Sequence, residues 1–189
     1  IKKGLKHARR HKKNAKAVIG GGAVSVFYEQ LGQSLPKGTI ISVGEGVSSS
    51  RIGERVWVYN AQYGRQLGTS AEYVCLPSVH AIILPDTADY SAGAMMGIPA
   101  MTAHRCVFSD GAVDSQTLLI TGGAGRVGYY AIQWAKQNGS TVIATASSDA
   151  SREQCANAGA DLIVDHPSDD SVGEIMDFTN GKKIDRIIE

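Results

Sequence analysis

The sequence has no apolar run of the ~18 or more residues that would span a bilayer. Its longest candidate, Ala17 to Tyr28, is too short and is interrupted by Gly20, Gly21 and Gly22. No membrane association is expected. Cysteine is scarce. Cys75, Cys106 and Cys155 stand far apart and give neither a disulfide framework nor a Cys-x-x-Cys pair for structural zinc. A reducing, cytoplasmic compartment is therefore expected. Acid is missing from the start of the chain: eight of the 19 Lys and Arg (Lys2, Lys3, Lys6, Arg9, Arg10, Lys12, Lys13 and Lys16) precede the first acidic residue, Glu29. From Ala17 onward 11 basic residues face 18 acidic ones, a net charge of −7 that does not suit a nucleic-acid binder.

The basic character is thus confined to residues 1–16, which also have almost nothing apolar to bury and read as a solvated arm. The arm lacks the apolar segment of a secretory signal; a mitochondrial presequence or a nuclear address stays open, although the former would want Ser, which the arm lacks. A basic arm can also carry RNA, so RNA stays open as a partner, with a plain solvated tail preferred. The remainder is ordinary in composition. At 189 residues, 43% hydrophobic and 20% charged, the chain has the means to bury one domain or two small ones.

Residues 17–90 read as a mainly β unit. Ala17 to Ile19 suits a short strand running into the glycine turn, and the stretch after that turn is weakly patterned. Thr39 to Val43, Arg55 to Tyr59, Ala71 to Cys75 and Ala81 to Leu84 are then short β-branched or alternating runs bounded by Gly, Ser or Pro. After Pro85 the period lengthens. Ser91 is placed to cap one helix, a second is expected over Ala100 to Val107, and the domain boundary is set near residue 90. Residues 91–189 then alternate. Strands Thr117 to Thr121, Thr141 to Ala146, Leu162 to Val164 and Ile184 to Ile188 are separated by helices Val127 to Gln137, Ala150 to Asn157 and Ser171 to Thr179. Such a series implies a parallel sheet with right-handed crossovers, an α/β class.

The segment Gly122-Gly123-Ala124-Gly125-Arg126-Val127-Gly128 follows the first of those strands and opens a helix. In that context a glycine-rich turn means dinucleotide binding. Gly123 and Gly125 let the backbone turn tightly and bring amides to a pyrophosphate on the positive end of the helix, and Gly128 lets that helix pack closely on the sheet. The next strand ends in Ala146-Ser147-Ser148, where an NAD-specific site would place an acid against the ribose. Ser147, Ser148 and Arg152, one helical turn on, can instead donate to a 2′-phosphate, which favours NADPH. Asp149 pulls the other way, because folded back toward the ribose it would favour NAD. Arg152 also has a plainer reading as a solvent-facing helix residue.

Four separated segments now agree in order and spacing: Gly53-Glu54-Arg55-Val56, Gly68-Thr69-Ser70-Ala71-Glu72-Tyr73, Gly97-Ile98-Pro99-Ala100-Met101-Thr102-Ala103, and Gly122 to Gly128. Together they resemble the quinone oxidoreductase (zeta-crystallin-like) branch of the zinc-independent medium-chain dehydrogenase/reductases, over residues 38 to 189. The resemblance implies a partial GroES-like β domain followed by a C-terminally truncated Rossmann domain, with the active-site cleft between them. It places Thr102 beside the nicotinamide, Gly125 to Gly128 on the pyrophosphate, and His166 near the adenosine phosphate. His166 also reads as a polar residue closing a strand. His80 and His104 have no motif behind them and read as structural or surface residues. No Cys or His set stands where zinc ligands would be needed, so no metal is expected.

Two departures bear on function. Relatives of this branch hold a longer stretch between the strand seen here at Lys16 to Ile19 and the segment Val43 to Val47, and that stretch should carry the substrate-side loop. They also continue beyond Glu189. The chain therefore reads as a fragment or spliced product, its catalytic residues unassigned. The resemblance implies hydride transfer from NADPH to a small quinone or activated alkene, by a protein that is a homo-oligomer at full length. Competing readings are an enal or enoyl thioester reductase and a non-catalytic, crystallin-like dinucleotide-binding protein.

Overall fold

The computed structural model describes residues 23–27, 37–64, 69, 71–165, 168 and 170–189. The basic arm, the strand expected at Ala17 to Ile19 with its glycine turn, and His166 lie outside the described residues. The chain divides into two compact units, residues 1–97 and 98–189.

The first unit is built on a five-stranded antiparallel sheet of β1 (Ala23–Phe27), β2 (Lys37–Val43), β3 (Arg55–Val58), β4 (Tyr73–Pro77) and β5 (Ala81–Ile83), in the order β4-β1-β2-β3-β5. Alternation places Val24, Val26, Ile40, Val56, Val58, Val74 and Leu76 in one apolar core. That pattern is what an antiparallel sheet covered on one face requires. β1 was the weakly patterned stretch of the sequence. It is held by pairing on both sides, with β2 through a register shift between Ser25 and Val26, and with β4. Helix α1 (Tyr90–Met95) packs on β2 and β3. Its cap is Asp89 rather than Ser91: the Asp89 carboxylate accepts from the Ala92 amide at 2.7 Å, two residues earlier than the apolar run suggested. Tyr90 bonds Thr39 through its hydroxyl at 3.0 Å and lies under the Arg55 guanidinium, which fixes the helix to the sheet. The helical path breaks at Gly97, whose backbone is non-helical, and Pro99 follows.

The second unit opens with α2 (Met101–Phe108) and continues as β6 (Thr117–Ile120), α3 (Arg126–Gln137), β7 (Thr141–Thr145), α4 (Asp149–Ala158), β8 (Leu162–Val164), α5 (Ser171–Phe178) and β9 (Arg186–Ile188). Its strands form a parallel sheet in the order β8-β7-β6-β9. In chain order that is 3-2-1-4, the half-wound arrangement of a Rossmann sheet, with the reversal beside β6. The α/β class and the Rossmann-type domain expected from the sequence are both present. Val142, Ile143 and Ala144 of β7 are fully buried, as a strand covered on both faces demands. Around them pack Leu118, Ile120, Ala131, Ile132, Ala135 and Cys155. At the margin of this core, His104 and Phe108 of α2 meet Trp134 of α3, with ring centroids 4.8 to 6.3 Å apart, and His104 is exposed. No helix among the described residues is long and apolar enough to cross a membrane.

Candidate functional site

In an open parallel sheet the carboxyl ends of the strands beside the reversal point form a crevice that the crossover helices leave uncovered. Here that crevice is a cavity of about 590 Å³. Thr121, Gly122, Ala124 and Gly125 line one side from the β6–α3 turn. Thr145, Ala146 and Ser147 line another from the end of β7, with Ser151 and Gln154 from α4.

The turn explains why the sequence has glycine where it does. Gly122 adopts φ +57°, in the left-handed region that disfavours a side chain. A Cβ on Gly123 would lie 2.8 Å from the Cys155 sulfur, 2.9 Å from the Ala144 Cβ and 3.0 Å from the Ile132 Cδ1. A Cβ on Gly125 would stand 3.0 Å from the Gly122 carbonyl oxygen, and one on Gly128 would run into that same oxygen and the Gly123 Cα. The division of labour thus differs from the sequence reading. Gly122 makes the tight bend, Gly123 seats the turn on the core beneath, and Gly128 brings the helix against the turn itself rather than against the sheet.

Helix α3 begins at Arg126 with Gly125 as its N-cap, and no side chain caps it. The amides of Arg126, Val127 and Gly128 therefore have no intrahelical acceptor and stand at the positive end of a 12-residue helix. Three other amides of the turn are already bonded: Gly122 to the Thr145 hydroxyl at 2.9 Å, Gly123 to the Thr145 carbonyl at 3.0 Å, and Gly125 to the Gly122 carbonyl at 2.8 Å. Thr145 was not singled out in the sequence. The rule that sites gather at the carboxyl ends of parallel strands would have found it, as it would Thr121.

The other expected residues scatter. Ala124, Gly125 and Ser147 line the cavity, while Ser148 caps α4, accepting from the Ser151 amide at 3.3 Å. Arg152 departs from the expectation. It is not among the lining residues, and its guanidinium is bonded to the Ile163 carbonyl at 2.7 Å and the Ala146 carbonyl at 3.5 Å, tying the ends of β7 and β8 together. Asp149 is exposed in the first turn of α4 and does not line the cavity. Thr102 is exposed on α2 and is not part of this cavity. Beneath the turn, burial pushes the Cys155 thiol above its ordinary value, with the Arg152 charge pulling the other way. No group of three His, Cys, Asp or Glu that could hold a metal ion occurs among the described residues.

Comparison with known proteins agrees with this geometry. Residues 127–189 match the family described as "Zinc-binding dehydrogenase". Quinone oxidoreductase from Rattus norvegicus is 33% identical over 155 residues, covering 80% of this chain and 45% of the rat protein. A phenolphthiocerol/phthiocerol polyketide synthase polypeptide from Mycobacterium tuberculosis is 29% identical over 153 residues, 80% of this chain and 7% of that polypeptide. Among solved structures, mycobacterial Rv1454c complexed with NADPH superposes with a TM-score of 0.73 at 25% identity, covering 91% of this chain and 60% of that one. The chain thus spans less than half the length of the rat relative. Along most of its own length it resembles the quinone oxidoreductase branch of the medium-chain dehydrogenase/reductases.

Proposed function

We propose that this relative of the quinone oxidoreductases binds NADPH and serves its transfer of hydride to a small quinone or activated alkene, without zinc. The observation that carries the reading is the turn from Gly122 to Gly128. Two of its glycines, Gly123 and Gly128, have no room for a side chain, and it delivers an uncapped helix end beside a cavity large enough for part of a nucleotide. NADPH, when bound, would supply the hydride. The chain's part is to hold and orient it: the first-turn amides of α3 take the pyrophosphate, and Ser147 and Ser151 at the mouth of the cavity donate to the 2′-phosphate. Because the Arg152 guanidinium is engaged by two carbonyls, its contribution is to brace the strand ends behind that pocket. Thr102 beside the nicotinamide and His166 near the adenosine are assigned on the resemblance.

Hydride transfer of this kind needs orientation and exclusion of water more than a strong acid or base. The resemblance leaves one alternative acceptor open, an enal or enoyl thioester. The resemblance further implies self-association of the full-length protein, which sedimentation would read. Fluorescence titration with NADPH and NADH tests the cofactor. NADPH should bind more tightly. Tighter NADH binding would put Asp149 against the ribose, and binding of neither would overturn the reading. Elemental analysis after dialysis should find no retained zinc. Turnover of NADPH with a quinone by the family-length chain separates an enzyme from a non-catalytic nucleotide binder.

A further inference from the structure

We infer that Thr145 is the positioning residue of the nucleotide site, holding the glycine turn in its binding conformation; the inference rests on the nucleotide-binding reading above. Thr145 ends β7, and at 6% exposure it is a buried polar residue that follows three apolar, fully buried ones, Val142, Ile143 and Ala144. A hydroxyl in such a place is unfavourable unless it is bonded. It is bonded to the turn: the Gly122 amide donates to its Oγ1 at 2.9 Å, and the next amide, Gly123, donates to its carbonyl oxygen at 3.0 Å. One residue thus grips two consecutive amides at the point where the chain enters the left-handed conformation of Gly122.

That grip has a consequence for the ligand. With the amides of Gly122 and Gly123 bonded to Thr145 of β7, and that of Gly125 closing back on Gly122, the amides left for an anion are that of Ala124 and those of the first turn of α3. Valine has nearly the shape of threonine but accepts no hydrogen bond. It would keep the packing and leave the Gly122 amide without its acceptor, so the turn could rotate and misdirect the first-turn amides.

The test compares the full chain with its Thr145→Val and Thr145→Ser variants, titrated with NADPH and with adenosine 2′-monophosphate, which has no pyrophosphate. Thr145→Val should weaken NADPH roughly tenfold to 100-fold, the size of a lost hydrogen bond to a partly buried amide. Its binding of adenosine 2′-monophosphate should change less than about twofold, and Thr145→Ser should restore NADPH binding to within about threefold. A general loss of packing would weaken both ligands alike, which overturns the inference, as would a serine variant no better than the valine one. Wild-type chain that binds neither ligand overturns the nucleotide reading and this inference with it. Binding by the wild type that Thr145→Val leaves unchanged overturns this inference alone. If the valine variant fails to fold, amide exchange in the wild-type chain decides: slow exchange at Gly122 supports the bond, and exchange as fast as at an open loop amide overturns it.

Discussion

A methyl group on Gly123 would meet the Cys155 sulfur, the Ala144 methyl and the end of Ile132 at 2.8 to 3.0 Å, and all three neighbours belong to the buried core. Gly123→Ala should therefore destabilise the chain by about 1–3 kcal/mol, the range for overpacking a filled interior. Urea unfolding would show it, and NADPH binding should fall with it because the turn can no longer seat. Cys155 itself supports a prediction about pH. Its thiol is pushed above the ordinary value of 9.0 because burial disfavours the thiolate. The unfolded chain then releases this proton before the folded one does. The stability that Cys155 contributes is complete below pH ~9 and is lost as pH rises beyond it. The difference in urea midpoint between wild type and Cys155→Ala should be largest at pH 8 and shrink above pH 9, as the wild type loses this contribution. The glycine motif was legible from spacing, because the string of small residues between a strand and a helix has one common use. The partners of those glycines were not, since Cys155 and Thr145 come from other elements.

Among elements, legibility followed locality. β8 lies over the residues its β-branched run predicted, Leu162 to Val164, and α3 begins one residue before the expected start, at Arg126. Both are specified by their own pattern and their own boundary residues. β1 is specified by its neighbours, as its partners in β2 and β4 lie far along the chain, and no local signal beyond Val24 and Val26 announces it. Pro77 reads as a strand breaker, yet it ends β4, an edge strand where a missing donor is tolerated. Between α3, β7 and β8 runs a contact set that no single element encodes. Lys136 of α3 reaches both carboxylate oxygens of Asp161, at 2.8 and 2.7 Å, and the Ser140 carbonyl at 3.0 Å, while Asp161 accepts from the Val142 amide of β7 at 2.7 Å. The ion pair is about a third exposed and is worth at most ~1 kcal/mol. The Val142 bond is the larger contribution, because its donor belongs to a buried strand. We expect Asp161→Ala to destabilise by about 1–3 kcal/mol and Lys136→Met by less than ~1 kcal/mol. Equal losses in chemical denaturation would show that the ion pair, not the strand amide, carries the contact.

At the scale of the molecule, every residue lining the cavity falls between Thr121 and Gln154, inside the second compact unit. A ligand that binds the folded state stabilises what it touches, by about 2.7 kcal/mol at a hundred times its dissociation constant. If NADPH is held by this cavity, that stabilisation must appear first in the amides that form it. Hydrogen exchange followed with and without saturating NADPH should therefore show added protection at β6, the Gly122 to Gly128 turn, the first turn of α3 and the end of β7. The amides of β1 to β5 should exchange at unchanged rates. The parallel sheet sets this expectation, because its strand ends converge on the crevice while its opposite ends do not. Protection confined to the amino-terminal ends of β6 and β7 would place the nucleotide elsewhere and remove the basis for the function proposed. Equal protection across both units would mean that binding orders the whole chain, and the affinity would then carry that ordering cost as well as the contacts made at the turn.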